Sequence, residues 1–274
     1  NVAESLTITT AETTLLSTFD ASTFEGALTI TGLAGKFIAT GATIKGGTRV
    51  DTITGGSGAD VITGGAGADI LKGGASNDNI DGGAGADTIT GDGGVDVMTG
   101  GAGSDIFAFA DDNSLEATVN TIKDFTAGAA GETFDTLDFV LSTDDTVFNT
   151  VAKASAHSVT DHTSEIEGGT CTAYITNGII SLDGTETGGV DTLAEWMKIA
   201  EDAAVNGYID NQGDDAGAET VVFGFEFNGD TYVGYGDDGA SDNTYATEGL
   251  VKLEGVTGIT GLSITEATNV VHIA

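Results

Sequence analysis

From Gly46 onward the sequence advances in steps of nine. Units begin at Gly46, Gly55, Gly64, Gly73, Gly82, Gly91 and Gly100, seven in unbroken register. The clearest are Gly64-Gly65-Ala66-Gly67-Ala68-Asp69-Ile70-Leu71-Lys72 and Gly82-Gly83-Ala84-Gly85-Ala86-Asp87-Thr88-Ile89-Thr90. The sixth place is always aspartate: Asp51, Asp60, Asp69, Asp78, Asp87, Asp96 and Asp105. The eighth is always apolar: Ile53, Ile62, Leu71, Ile80, Ile89, Met98 and Phe107. A period this strict dictates one small structural unit repeated by stacking.

The spacing sets the shape of that unit. Gly-Gly-x-Gly-x-Asp reads as a turn, because glycine takes positive φ without steric cost. The three residues that follow read as a short strand whose central side chain faces inward. Two units make one 18-residue coil with a strand on each side. Stacked coils make a parallel β-roll with a narrow core of eighth-position side chains. The aspartates then fall into two rows, Asp51, Asp69, Asp87 and Asp105 in one, Asp60, Asp78 and Asp96 in the other.

Those rows create an electrostatic problem. Coils stack about 4.8 Å apart, and two carboxylates at that distance repel by about 3–4 kcal/mol at an effective dielectric near 20. Five neighbouring pairs rival the ~5–15 kcal/mol stability of an entire domain. The roll therefore calls for cations between the coils. Calcium suits irregular six- to eight-fold oxygen coordination better than magnesium does. Several Ca2+ ions are expected, held by the row aspartates and by the turn glycines Gly56, Gly58, Gly65, Gly67, Gly74, Gly83, Gly85, Gly94, Gly101 and Gly103. Asp92, in place of a second-position glycine, adds a ligand or only charge. Ser76 replaces a fourth-position glycine, and Arg49 does so in the first unit, which weakens that turn as a full calcium site.

Charge narrows the partners. Eight Lys and Arg against 43 Asp and Glu leave a net charge of −35. Such a chain repels nucleic acid and anionic membrane surfaces, so neither is an expected partner, and no apolar run is long enough for a membrane span. Glycine numbers 43 and proline 0, and the in-phase glycines place that excess in ordered turns rather than a flexible linker.

The nonapeptide pattern resembles the calcium-binding repeats of the RTX proteins, also called hemolysin-type calcium-binding repeats. That resemblance implies a calcium-filled parallel β-roll, export by a type I ATP-driven secretion system, and folding only outside the cell.

The flanks read as more β-structure, so the expected fold class is predominantly all-β. Residues 1–45 form a β-rich lead-in, residues 46–109 the roll, and residues 110–274 a β-rich C-terminal domain with one helix. Leu6-Thr7-Ile8-Thr9 and Leu28-Thr29-Ile30-Thr31 alternate as strands do. Ile44 stands nine residues before Ile53, so the ladder starts ahead of the aspartates. Ile122-Lys123-Asp124-Phe125 and Asp135-Thr136-Leu137-Asp138-Phe139 resemble the strand pair that closes RTX rolls. A helix is expected from Asp191 to Gly207, with Thr192 and Glu195 at capping-box spacing. Residues 221–227 and 231–235 read as a hairpin around Asn228-Gly229. The loop after it makes Asp237, Asp238 and Asp242 a second calcium candidate, with residues 210–215 a weaker one. The apolar end, Thr268 to Ala274, is similar to type I secretion tails and equally suits a last edge strand. The start lacks Met and a basic-then-apolar leader, which fits a piece of a longer chain, processing, or C-terminal export signalling.

Catalytic patterns are missing from the sequence. His157 and His162 do not fit HExxH, and there is no GxSxG elbow or P-loop. Cys171, the one cysteine, has no basic neighbour and reads as a structural thiol. No enzymatic role is expected. The expected role is a calcium-dependent, extracellular, self-assembling structural protein of surface-layer type, forming a homo-oligomer, lattice or filament with cell-surface polysaccharide as a further partner. The alternative is the calcium-binding and secretion module of an RTX adhesin or exoenzyme.

Overall fold

The computed structural model describes residues 5–9, 17–31, 41–110, 119–128, 134–140, 148–150, 155–157, 172–176, 179–183, 193, 220–237, 246–265 and 270–274. The nine-residue units wind into the expected coils. Strands β5 (Thr52–Gly56), β7 (Ile70–Ala75), β9 (Thr88–Gly93) and β11 (Ile106–Ala110) stack in parallel in one sheet. Strands β6 (Val61–Ala66), β8 (Asn79–Ala84) and β10 (Val97–Ala102) stack in the other. Register runs 18 residues per coil, Ile53 opposite Leu71 and Leu71 opposite Ile89, Ile62 opposite Ile80 and Ile80 opposite Met98. All seven eighth-position side chains are fully buried between the sheets.

One local expectation is corrected. The strands are longer than three residues, because the first two glycines of each unit continue the strand. Gly65 and Ala66 pair with Gly83 and Ala84 in the ladder, which leaves Gly-x-Asp to make the turn. Stacked backbone is the physical reason. A Cβ on Gly85 (φ 143°) would overlap the carbonyl oxygen of Gly67 one coil below. Ser76 and Asp92 keep the positive φ of the glycines they replace, at 80° and 62°. In calcium-saturated protein, Gly85→Ala is expected to cost at least about 3 kcal/mol, since the new methyl meets backbone that has nowhere to move. Gly229→Ala meets nothing within 4 Å at φ 86° and should cost only about 1–2 kcal/mol. Thermal denaturation of the two variants checks this, and equal losses would contradict it.

The roll extends in both directions. On the N-terminal side, β1 (Leu6–Thr9) lies parallel to β3 (Leu28–Thr31), which lies on β5. On the opposite sheet β2 (Thr18–Asp20) lies on β4 (Thr43–Lys45), which lies on β6. On the C-terminal side β12 (Asn120–Ile122) follows β10, and β13 (Thr136–Val140) follows β11. These two closing strands do not pair with each other; each caps a different sheet.

The C-terminal segment continues the same sheets. The hairpin of β18 (Thr220–Phe227) and β19 (Asp230–Asp237) turns through Asn228 and Gly229, both at positive φ. Strand β20 (Ala246–Leu253) then lies antiparallel on β19 and parallel on β12, with Ile122 opposite Leu253. A second hairpin, β21 (Leu262–Thr265) and β22 (Val270–Ile273), lies antiparallel on β13, with Leu137 opposite Val271. One apolar core therefore runs from Leu28 through the roll to Val251 and Ile273. Strands β14 to β17 (Phe148–Thr150, Ser155–His157, Thr172–Thr176, Ile179–Asp183) complete the second sheet beyond β18. Apart from residue 193, the expected helix lies outside the described residues, as does Cys171.

Candidate metal centre

The row aspartates do not line a solvated face. Asp51, Asp60, Asp69, Asp78, Asp87, Asp96 and Asp105 are each at most 3% exposed. Their two oxygens have different surroundings. Oδ1 accepts a hydrogen bond from the main-chain N–H one coil earlier. Asp51 donates to Asp69, Asp69 to Asp87 and Asp87 to Asp105, at 2.7–2.8 Å. In the second row Asp60 donates to Asp78 and Asp78 to Asp96 at 2.7 and 2.8 Å. This side-chain ladder locks successive turns together.

Oδ2 is buried with no hydrogen-bond partner on Asp60, Asp69, Asp78, Asp87, Asp96 and Asp105. It sits against the first glycine of its own unit, and for Asp60, Asp69, Asp78 and Asp87 the carbonyl oxygen of the next coil also converges there. A Cβ on Gly64 would stand 2.5 Å from Asp69 Oδ2 and 2.6 Å from Gly82 O. Glycine is thus required there to leave room for two oxygens. Among the described residues no three acidic, histidine or cysteine side chains meet at one point. An ion between these coils would take carboxylate oxygen from the rows and the rest of its shell from main-chain carbonyls. That is a hard, all-oxygen donor set, and it fits calcium.

Asp60, first in the second row, resembles the interior members, its Oδ1 taking Ala42 N–H and its Oδ2 lacking a partner; the other row ends are different. Asp51 Oδ2 accepts from Gly47 N–H at 2.6 Å, while its Oδ1 accepts from Leu28 N–H at 2.7 Å. Asp135 closes the first row, its Oδ1 taking Asp105 N–H at 2.9 Å and its Oδ2 taking Thr126 N–H at 2.8 Å. Asn120 closes the second row with a neutral amide, accepting from Asp96 N–H at 2.7 Å. Asp124 accepts from the N–H groups of Gly100 and Gly101 at 2.9 and 2.8 Å. Sequence reasoning did not assign these closing residues to the rows. The available signal was Asp135-Thr136-Leu137, which repeats the acid-x-apolar end of a unit without its glycines, and Asn120-Thr121-Ile122, which repeats it with an amide in place of the acid.

Burial dominates the electrostatics. It raises the carboxyls of Asp69, Asp96 and Asp105 to about 6 and that of Asp78 to about 7. The ladder hydrogen bond opposes this shift, and neighbouring row charges add to it. Asp60, Asp87 and Asp135 are raised for the same first reason. Desolvation therefore outweighs the mutual repulsion that the spacing alone suggested.

The other candidate residues fall as follows. Gly56, Gly65, Gly74, Gly83 and Gly101 lie in the stacked strands; Gly58, Gly67, Gly85, Gly94 and Gly103 make the turns. Asp92 stands exposed on β9, and its charge is felt by Asp78 and Asp96. Asp237 ends β19, away from the rows in sequence, while Asp238, Asp242 and residues 210–215 lie outside the described residues.

Comparison with known families agrees with this geometry. Residues 45–80 and 72–107 match the RTX calcium-binding nonapeptide repeat, with its four copies. These coils are RTX calcium-binding repeats. The match covers less than a quarter of the chain, and comparison with curated proteins finds no match. The RTX coils account for the aspartate rows and for their six buried Oδ2 atoms that lack a donor, and calcium is the ion these repeats bind.

Proposed function

We propose that this protein is a secreted, calcium-dependent structural protein of surface-layer or surface-coat type, and that its role is structural rather than catalytic. The observation that carries the reading is the set of six buried Oδ2 atoms with no protein donor. Burying an unpaired carboxylate costs several kcal/mol even after relaxation, so the ionised chain stays unfolded where calcium is scarce. That state suits passage through a type I exporter. Calcium outside the cell then occupies the rows, and its binding free energy becomes folding free energy. Extracellular calcium modules bind at about 10⁻⁴–10⁻³ M, so folding follows the medium. The continuous core from the first coil to the last strand supports a rigid building block, able to join copies into a filament or lattice over cell-surface polysaccharide.

Electron microscopy of the calcium-loaded protein tests the assembly. Ordered sheets or filaments are the expected result. Isolated particles alone at high concentration would remove the coat reading and favour the adhesin or exoenzyme module.

A further inference from the structure

The two rows offer calcium the same oxygens but are held together differently. Each has three carboxylates whose Oδ2 lacks a donor, Asp69, Asp87 and Asp105 in the first and Asp60, Asp78 and Asp96 in the second. Extra charge does not separate them. Asp92 adds its charge at Asp78 and Asp96, while Asp81 adds its charge at Asp87 and Asp124 at Asp105. What separates the rows is how successive turns are joined.

On the first edge the main chain joins them. Gly67 N–H donates to Ala84 O and Gly85 N–H to Ala102 O, both at 2.8 Å. The turns Ala66-Gly67-Ala68 and Ala84-Gly85-Ala86 carry no polar side chain. On the second edge side chains make the links. Ser76 Oγ donates to Ser57 O in the coil before at 3.1 Å, and Asn77 Oδ1 accepts from Val95 N–H in the coil after at 3.0 Å. One dipeptide thus ties three turns together. Ser76 stands where the repeat has glycine and holds φ at 80°. A side chain at that φ carries strain, which the hydroxyl bond offsets.

The two bonds coincide with two ion positions. A Cβ on Gly55 would run into Asp60 Oδ2 and Gly73 O, and one on Gly73 into Asp78 Oδ2 and Gly91 O. Each pair of oxygens spans a boundary between coils. Asp60 shares its unit with Ser57, and Gly73 shares its unit with Ser76. The Ser76 bond therefore crosses the same boundary as the first pair. Gly91 shares its unit with Val95, so the Asn77 bond crosses the boundary of the second pair. Calcium holds its oxygens within about 2.3–2.6 Å, so the spacing of these boundaries bears directly on affinity.

We propose that Ser76 and Asn77 are positioning residues for calcium, Ser76 fixing the gap between Asp60 Oδ2 and Gly73 O, and Asn77 the gap between Asp78 Oδ2 and Gly91 O. Each acts through coil spacing rather than as a ligand. The affinity of the second row is then set by side chains, and that of the first by main chain alone. The inference rests on the reading of the rows as calcium sites and not on the coat.

Calcium release from the loaded chain into a fluorescent chelator, followed by stopped flow, tests it. Ser76→Ala and Asn77→Ala should each speed the release of part of the bound calcium by about two- to tenfold, the worth of one hydrogen bond, and leave the rest unchanged. Asn77→Asp keeps the acceptor and should release no faster than the unaltered chain. Ser104→Ala removes the polar side chain at the matching place on the first edge and should change nothing. Alanine variants that lose thermal stability with release unchanged are turn stabilisers only, and the proposal falls. Release sped alike for every ion overturns it too, since that reports a weaker fold. So does an equal effect of Ser104→Ala. An alanine variant that never regains native circular dichroism at saturating calcium also overturns it, because exposed bonds that set spacing should not decide the fold. An unaltered chain that binds no calcium removes the reading beneath the proposal as well, which tells the two failures apart.

Discussion

In excess chelator at about pH 7.5 the chain loses most of its β-sheet circular dichroism and recovers it on calcium addition; acidifying the chelated protein toward about pH 5 restores part of it. The first half follows from the six orphaned carboxylate oxygens, whose combined burial cost exceeds the ~5–15 kcal/mol that holds a domain together. The second half is a matter of linkage. The folded carboxyls of Asp69, Asp96 and Asp105 titrate at about 6 and that of Asp78 at about 7, against about 3.9 in an unfolded chain. Between those values the metal-free folded state binds more protons than the unfolded state. Its stability therefore rises as pH falls from about 7 to about 4, the reverse of ordinary acid denaturation. Protons and calcium compete for the same oxygens, so calcium binding to the folded chain should weaken as pH drops below about 7. A β signal unchanged by chelator at about pH 7.5 would sink calcium-coupled folding. A chelated protein that unfolds further on acidification would refute the burial argument.

Asp87→Asn and Asp51→Asn, alike on paper, should behave differently. Asp87 lies mid-row, with Oδ1 on Asp69's partner ladder and Oδ2 without a donor. Its amide variant keeps the ladder bond, as Asn120 does at the end of the second row, and loses the buried charge. The variant should fold more readily in chelator yet need at least about tenfold more calcium to reach its folded midpoint, since losing a ligand costs no less than losing a supporting contact. At Asp51 both oxygens already accept main-chain N–H groups. Its amide variant should lose about 1 kcal/mol of stability with little change in calcium midpoint. Calcium titrations followed by circular dichroism separate the two. Equal midpoint shifts would show that Asp51 is a calcium ligand and that its hydrogen bonds do not define the end of the row.

Much of the roll was readable from residue order alone, for a definite reason. A coil of two nonapeptides places every residue directly over the one 18 positions away, so periodicity in sequence becomes register in space. That is why Ile62, Ile80 and Met98 could be stacked without coordinates, and why the Asn228-Gly229 hairpin, governed by local turn chemistry, was also readable. The closing residues were not. Asn120 and Asp135 stand 24 and 30 residues from the N–H groups they accept, outside the 18-residue step. The pairing of Ile122 with Leu253 and of Leu137 with Val271 spans more than a hundred residues with no repeat to mark it.

What residue order determined is the kind of object this protein is: glycines in phase allow coils to stack, apolar eighth positions fill the interior, and sixth-position aspartates form rows wanting a hard cation. What only the tertiary structure decided is which oxygens remain for that cation. Each carboxylate spends one oxygen on a neighbouring coil's N–H, and the other is satisfied by protein only where a row ends. A carboxylate has two oxygens of equal chemistry, and nothing in the order of residues distinguishes them until folding brings a donor to one and withholds it from the other.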